Sequence, residues 1–114
     1  MLPKIQKVEF GKITIDGEEH KENDIVLFWD GVEKKDKSHH IELEHFQDLL
    51  LKDPDTVIFG TGFNDAVKID SRILHEAQKE GTEVVIKKTP KALDMFKELS
   101  HQGKKVIAII HITC

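Results

Sequence analysis

The chain has 114 residues, 39% hydrophobic and 33% charged, with a formal net charge of −4 and one cysteine. That length suits one domain with a core of its own; the apolar residues recur in periodic runs that disordered chains lack, and one cysteine excludes an intramolecular disulfide. Arg72 is the only arginine among 17 basic residues, so the chain lacks the electrostatic footprint and the bidentate forks of a nucleic-acid binder.

From Met1 to Lys7 there is no long apolar run, so neither a signal peptide nor a membrane span is expected, and the cytoplasm is the expected location. Val8 and Phe10, then Ile13 and Ile15, alternate with polar residues as half-buried strands do. Asp16-Gly17 supplies the two positive-φ positions of a tight hairpin turn. Ile25 to Trp29 is apolar throughout, with Ile25, Leu27 and Trp29 on one face and Val26 and Phe28 on the other, which predicts a strand covered on both sides. Asp30-Gly31 repeats the turn signal before a short, charged, edge-like strand from Val32 to Lys35.

A polar connection, Lys34 to His40, leads to a helix over Glu42 to Lys52 with Leu43, Phe46, Leu49 and Leu50 on its apolar face. Asp53-Pro54-Asp55 ends that helix, because the residue before proline is driven out of the helical region. Thr56 to Phe59 is a buried strand, and Gly60-Thr61-Gly62 follows it with backbone free to bend. Asp70 or Ser71 caps a second helix with Ile73, Leu74 and Ala77 on one face and Gly81 at its left-handed end. Glu83 to Ile86 is a strand, and Thr89-Pro90 reads as a cap plus proline at the first helical position. Ala92, Leu93, Phe96 and Leu99 form the face of that third helix. In the closing strand, Lys104 to Thr113, Val106, Ala108, Ile110 and Ile112 face one way and Ile107 and Ile109 the other, so it belongs inside a sheet. From Thr56 onward the order β-α-β-α-β predicts a layered α/β domain.

Gly60-Thr61-Gly62 lacks the rest of a nucleotide site. Asp65 stands where a dinucleotide fingerprint needs its third glycine, and the helix begins only near Asp70. Three readings remain: a tight turn, a phosphate loop, or a strand end whose amides form a small anion-binding concavity. His39 and His40, near Glu42, Glu44 and His45, resemble a metal cluster, but neighbouring side chains diverge, so no metal and no cofactor are expected. His111 and Thr113 share a face while Cys114 points away, which argues against a thiol–imidazole pair. Cys114 reads as a small buried thiol beside a chain-ending carboxylate. No catalytic residue is assigned. The candidate ligand-binding residues are Gly60, Thr61 and Gly62 as a floor, with Ser38, His39 and Thr89 from neighbouring loops.

Together, Val57-Ile58-Phe59-Gly60-Thr61-Gly62, Lys88-Thr89-Pro90-Lys91-Ala92-Leu93 and Val106-Ile107-Ala108-Ile109-Ile110-His111-Ile112-Thr113-Cys114 resemble domain-of-unknown-function family 498. The opening from Phe10-Gly11 to Asp16-Gly17 is similar too, so the resemblance spans essentially the whole chain. The family includes archaeal and bacterial single-domain proteins, an adipogenesis-associated protein and the NADH:ubiquinone oxidoreductase assembly factor 3. The resemblance implies a three-layer α/β domain around a mixed sheet. It implies no catalytic activity that carries over residue by residue, and its eukaryotic branches are associated with assembly or regulation.

This chain departs from many relatives in its shortened basic connection, Lys34-Lys35-Asp36-Lys37 before Ser38-His39, and in Glu42 where others place an aspartate cap. The expectation is therefore a single α/β domain over residues 1–114, a central mixed sheet flanked by helices with an additional N-terminal hairpin region. It is expected to be non-enzymatic and to act through protein partners as an assembly or regulatory module. The alternative is a small-ligand or anion binder, or an enzyme, built on Gly60-Thr61-Gly62.

Overall fold

A computed structural model describes residues 2–114. The alternating segments at the start form a three-stranded antiparallel sheet of β1 (Ile5–Glu9), β2 (Lys12–Ile15) and β3 (Glu18–His20). Asp16 and Gly17 turn the chain between β2 and β3 with φ of 51° and 83°, as a tight hairpin requires.

β4 (Asp24–Phe28) is buried along its whole length and pairs with β5 (Gly31–Lys35), an edge strand. Phe28 lies opposite Gly31, so the two loop residues are Trp29 and Asp30, one position earlier than the Asp30-Gly31 signal suggests. Neither has a positive φ, so this turn does not use the glycine's freedom. Having left the pleat, Trp29 packs with Val26 and Phe28 rather than on the Ile25 and Leu27 side.

β6 (His40–Ile41) and β8 (Lys68–Ile69) form a short parallel pair inside segments that read as loops. Two-residue strands carry no periodicity to detect. Between them come α1 (Leu43–Leu50) and β7 (Thr56–Gly60). At α2 (Arg72–Glu80) the Asp70 carboxylate accepts the Arg72 amide at 3.0 Å and its guanidinium as well. Those side-chain hydrogen bonds hold the Asp70 carboxyl well below the usual carboxylate range. Ile73 and Ala77, one turn apart, are buried, while Leu74 is 51% exposed; as the next residue on the helix it points about 100° away. Gly81 ends α2 with φ 74°.

β9 (Glu83–Lys87), α3 (Thr89–His101) and β10 (Val106–Ile110) complete the chain. The central sheet runs β5-β4-β10-β7-β9, with β10, β7 and β9 parallel and β4 antiparallel to both neighbours. β10 divides its side chains as its alternation predicts. Val106, Ala108 and Ile110, with Ile112 beyond the strand, meet Ala92, Leu93 and Phe96 of α3 and Ile13 and Ile15 of β2. Ile107 and Ile109 meet Phe46 and Leu49 of α1 and Ile73 and Ala77 of α2. The layers are α1 and α2, the five-stranded sheet, then α3 with the N-terminal sheet. Among the described residues, no helix is long and apolar enough to cross a membrane.

Phe96 is 1% exposed between α3 and the sheet. Phe96→Ala is expected to lower stability by about 3–5 kcal/mol, read from urea unfolding. A loss below about 1 kcal/mol would mean that this layer is not packed as described.

Candidate functional site

Because β7, β9 and β10 are parallel, their carboxyl ends meet at one end of the sheet, where ligands sit in open α/β folds. The antiparallel β4 begins at that same end. Ile110 lies opposite Ile25, so one step further His111 faces Asp24. Both side chains are 2% exposed, and His111 Nδ1 lies 2.9 Å from Asp24 Oδ2. Thr113 Oγ1 is 3.1 Å from His111 Nε2, in agreement with the shared face of those two residues. An ionised carboxylate only accepts; in the neutral ring Nδ1 then carries the hydrogen, and Nε2 accepts from the Thr113 hydroxyl. Asp24 Oδ2 also accepts the Ser38 amide at 3.2 Å, whereas the buried Asp24 Oδ1 has no partner among the described residues.

The backbone of His111 is held from the other side. Its amide donates to the Gly60 carbonyl at 3.1 Å, and its carbonyl accepts the Thr89 hydroxyl at 2.6 Å. That hydroxyl oxygen in turn accepts the Gly62 amide at 3.0 Å, and Thr89 N donates back to the Gly62 carbonyl at 3.0 Å. Thr89 is therefore not the cap of α3. Lys88 holds the cap position, and the Thr89 side chain ties the Gly62 loop to the end of β10.

The two glycines do different jobs. Gly60 has no positive φ; a Cβ there would lie 2.9 Å from Ile110 Cδ1 and 3.2 Å from Ala92 Cβ, so packing excludes it. Gly62 has φ 99°, and a Cβ there would run into the Cys114 carbonyl group. The loop wraps the end of the chain this closely because Phe63 N donates to the Thr113 carbonyl at 2.7 Å and Asn64 N to the Cys114 carbonyl at 2.7 Å. Cys114 is exposed, contrary to its reading as a buried thiol: the amides of the loop hold its backbone and leave the side chain outside.

Ser38, His39, Gly60, Gly62 and Thr89 thus gather around His111, with the His39 ring edge-on to it at 4.8 Å between centroids. Thr61 turns away. Its amide donates to the Lys87 carbonyl at 2.9 Å, and its hydroxyl donates to the Asp65 carboxylate. A cleft of about 210 Å³ lies elsewhere, lined by Glu19, His20, Lys21, Glu22, Asn23 and Lys34. Another, of about 390 Å³, is lined by Leu2, Pro3, Lys4, Ile5, Lys97 and His101. No group of three or more His, Cys, Asp or Glu among the described residues is placed to hold a metal ion.

Asp24 was not legible as a site residue, since its role depends on the β4–β10 pairing. The profile of the family described as "Protein of unknown function (DUF498/DUF598)" matches residues 5–111. The chain belongs to this family. A conserved hypothetical protein of Pyrococcus horikoshii OT3 is 32% identical, with 97% of this chain and 99% of that one covered and a TM-score of 0.85. An outer membrane protein from Bartonella henselae shares the fold at 15% identity, covering 99% and 97% of the two chains with a TM-score of 0.83.

Gly62→Ala is expected to destabilise several-fold more than Gly17→Ala. Both impose a left-handed alanine, which costs about 1–2 kcal/mol, but only Gly62 faces backbone, since nothing lies within 4 Å of a Cβ at Gly17. Equal losses in chemical denaturation would remove this steric account.

Proposed function

We propose that this chain acts by binding a protein partner in the cytoplasm, as an assembly or regulatory module. The observation that carries the reading is an aromatic pair at the carboxyl end of the parallel strands. Phe10 is 56% exposed and Phe63 half-buried, with ring centroids 5.5 Å apart. Both belong to turns pinned to the segment after β10, through Gly11 N on the Ile112 carbonyl at 2.6 Å and Phe63 N on the Thr113 carbonyl. Their backbones are therefore held in place before any encounter, which lowers the ordering cost of association. Aromatic side chains, phenylalanine among them, are enriched at protein interfaces. The assembly and regulatory associations implied by the family resemblance support the same reading.

A small ligand at this end is the second reading, favoured by the gathering of Ser38, His39 and Thr89 around His111. The Thr61 and Gly62 amides are engaged within the protein, so such a ligand would meet side chains rather than an amide nest.

Phe10→Asp is expected to abolish capture of a stoichiometric partner from extracts of the native cells, and any self-association seen in sedimentation. Its own stability cost is expected to be about 1 kcal/mol, the scale of a lost aromatic pair. Leu51→Asp, at an 85% exposed position at the end of α1, serves as the control. Capture that survives Phe10→Asp, or fails only in the Leu51 variant, would refute this surface.

A further inference from the structure

We propose that Thr113 is a nucleophile that accepts the acyl group of a small activated ester, its proton passing to His111 and the ring oriented by Asp24. This inference deepens the second, small-ligand reading of the same end of the sheet and rests on it for access.

Three groups stand in line: Asp24 Oδ2, 2.9 Å from His111 Nδ1, and Thr113 Oγ1, 3.1 Å from Nε2. A nucleophile within hydrogen-bond reach of a base, itself oriented by a third group, is the signature of an activated hydroxyl. Burial is graded along the line. Asp24 and His111 are closed to solvent, while Thr113 is half-buried and thus the member that a substrate can reach. A buried carboxylate–imidazole pair is costly to desolvate, and the Ser38 amide compensates only one carboxylate oxygen. Gly11 brings the β1–β2 turn against Thr113 without a side chain of its own, and the Phe10–Phe63 pair supplies apolar surface beside it for an acyl or aryl group.

In the step proposed, Thr113 Oγ1 forms a bond to the ester carbonyl carbon as its proton moves to His111 Nε2. The tetrahedral adduct then breaks its bond to the leaving oxygen, which departs as an aryloxide. The imidazolium returns its proton to the leaving group or to solvent. One ester is consumed, one Thr113 ester is formed and one phenol is released, with no redox change. His111 touches the transferred proton and is catalytic in that sense; Asp24 is a positioning residue that fixes the hydrogen on Nδ1.

The full chain is incubated with p-nitrophenyl acetate, and the product is followed by intact mass and peptide mapping. One acetyl group per chain, mapped to Thr113, is expected; Thr113→Ser keeps the adduct and Thr113→Val loses it. His111→Gln and Asp24→Asn are expected to slow acylation by about 10²-fold or more, and in Asp24→Asn the ¹⁵N signals of the His111 ring shift away from the Nδ1–H tautomer. An adduct confined to lysines or Cys114, or one undiminished in Thr113→Val, would overturn the proposal. Acetanilide, a non-reactive amide analogue, separates the two layers of the argument by NMR. Amide shifts at Phe63 and Thr113 without acylation would sink the nucleophile and leave the ligand reading standing. Neither shifts nor acylation would sink both.

Discussion

β10 is hydrogen-bonded on both edges, antiparallel to β4 and parallel to β7, and the remaining architecture is hung on it. The two halves of the sheet, β5 with β4 and β7 with β9, meet only through this strand. Its alternating side chains supply both faces of the core at once. Its pairing also fixes, residue by residue, what stands at the carboxyl end. With Ile110 opposite both Ile25 and Gly60, His111 has Asp24 on one flank and the Gly60 carbonyl on the other. A one-residue slip would turn every β10 side chain to the wrong face, so the core and the polar cluster enforce the same register.

That coupling explains how a buried carboxylate and imidazole are tolerated. Desolvating such a pair often costs more than its mutual attraction returns, and removing one partner is worse still. Here the pair is tied to backbone that is held by other means: Thr89 on the His111 carbonyl, and Ser38 on Asp24. The polar line runs along the α1 and α2 side of the sheet, and the Thr89 and Gly62 bridge closes the α3 side.

Much of the fold was legible because its signals are local. The two-faced pattern of β10, the Asp16-Gly17 turn and the Gly81 helix end each follow from a few adjacent residues. Trp29-Asp30 was misplaced by one because Asp-Gly is a turn signal only when its glycine needs a positive φ, and Gly31 does not. Of the site, Ser38, His39 and Thr89 could be nominated from composition and position. Asp24 could not, because an aspartate before an apolar run looks like any strand boundary until its partner strand is known. The assignment of Thr89 to a cap failed for a similar reason: its hydroxyl has a tertiary partner in His111, which outcompetes the local one.

The sheet has two open edges of unlike character. β5 presents Glu33, Lys34 and Lys35, charges that oppose edge-to-edge pairing with another chain. β9 carries Val84, Val85 and Ile86 in a row, with only Glu83 and Lys87 as flanking charges. An apolar stretch on an open sheet edge is a template to which another chain can pair. In the native state α2 and α3 lie over the two faces of β9, yet Ile86 remains 40% exposed. Loosening of either helix would add bare apolar face to an edge whose own charges stand only at Glu83 and Lys87.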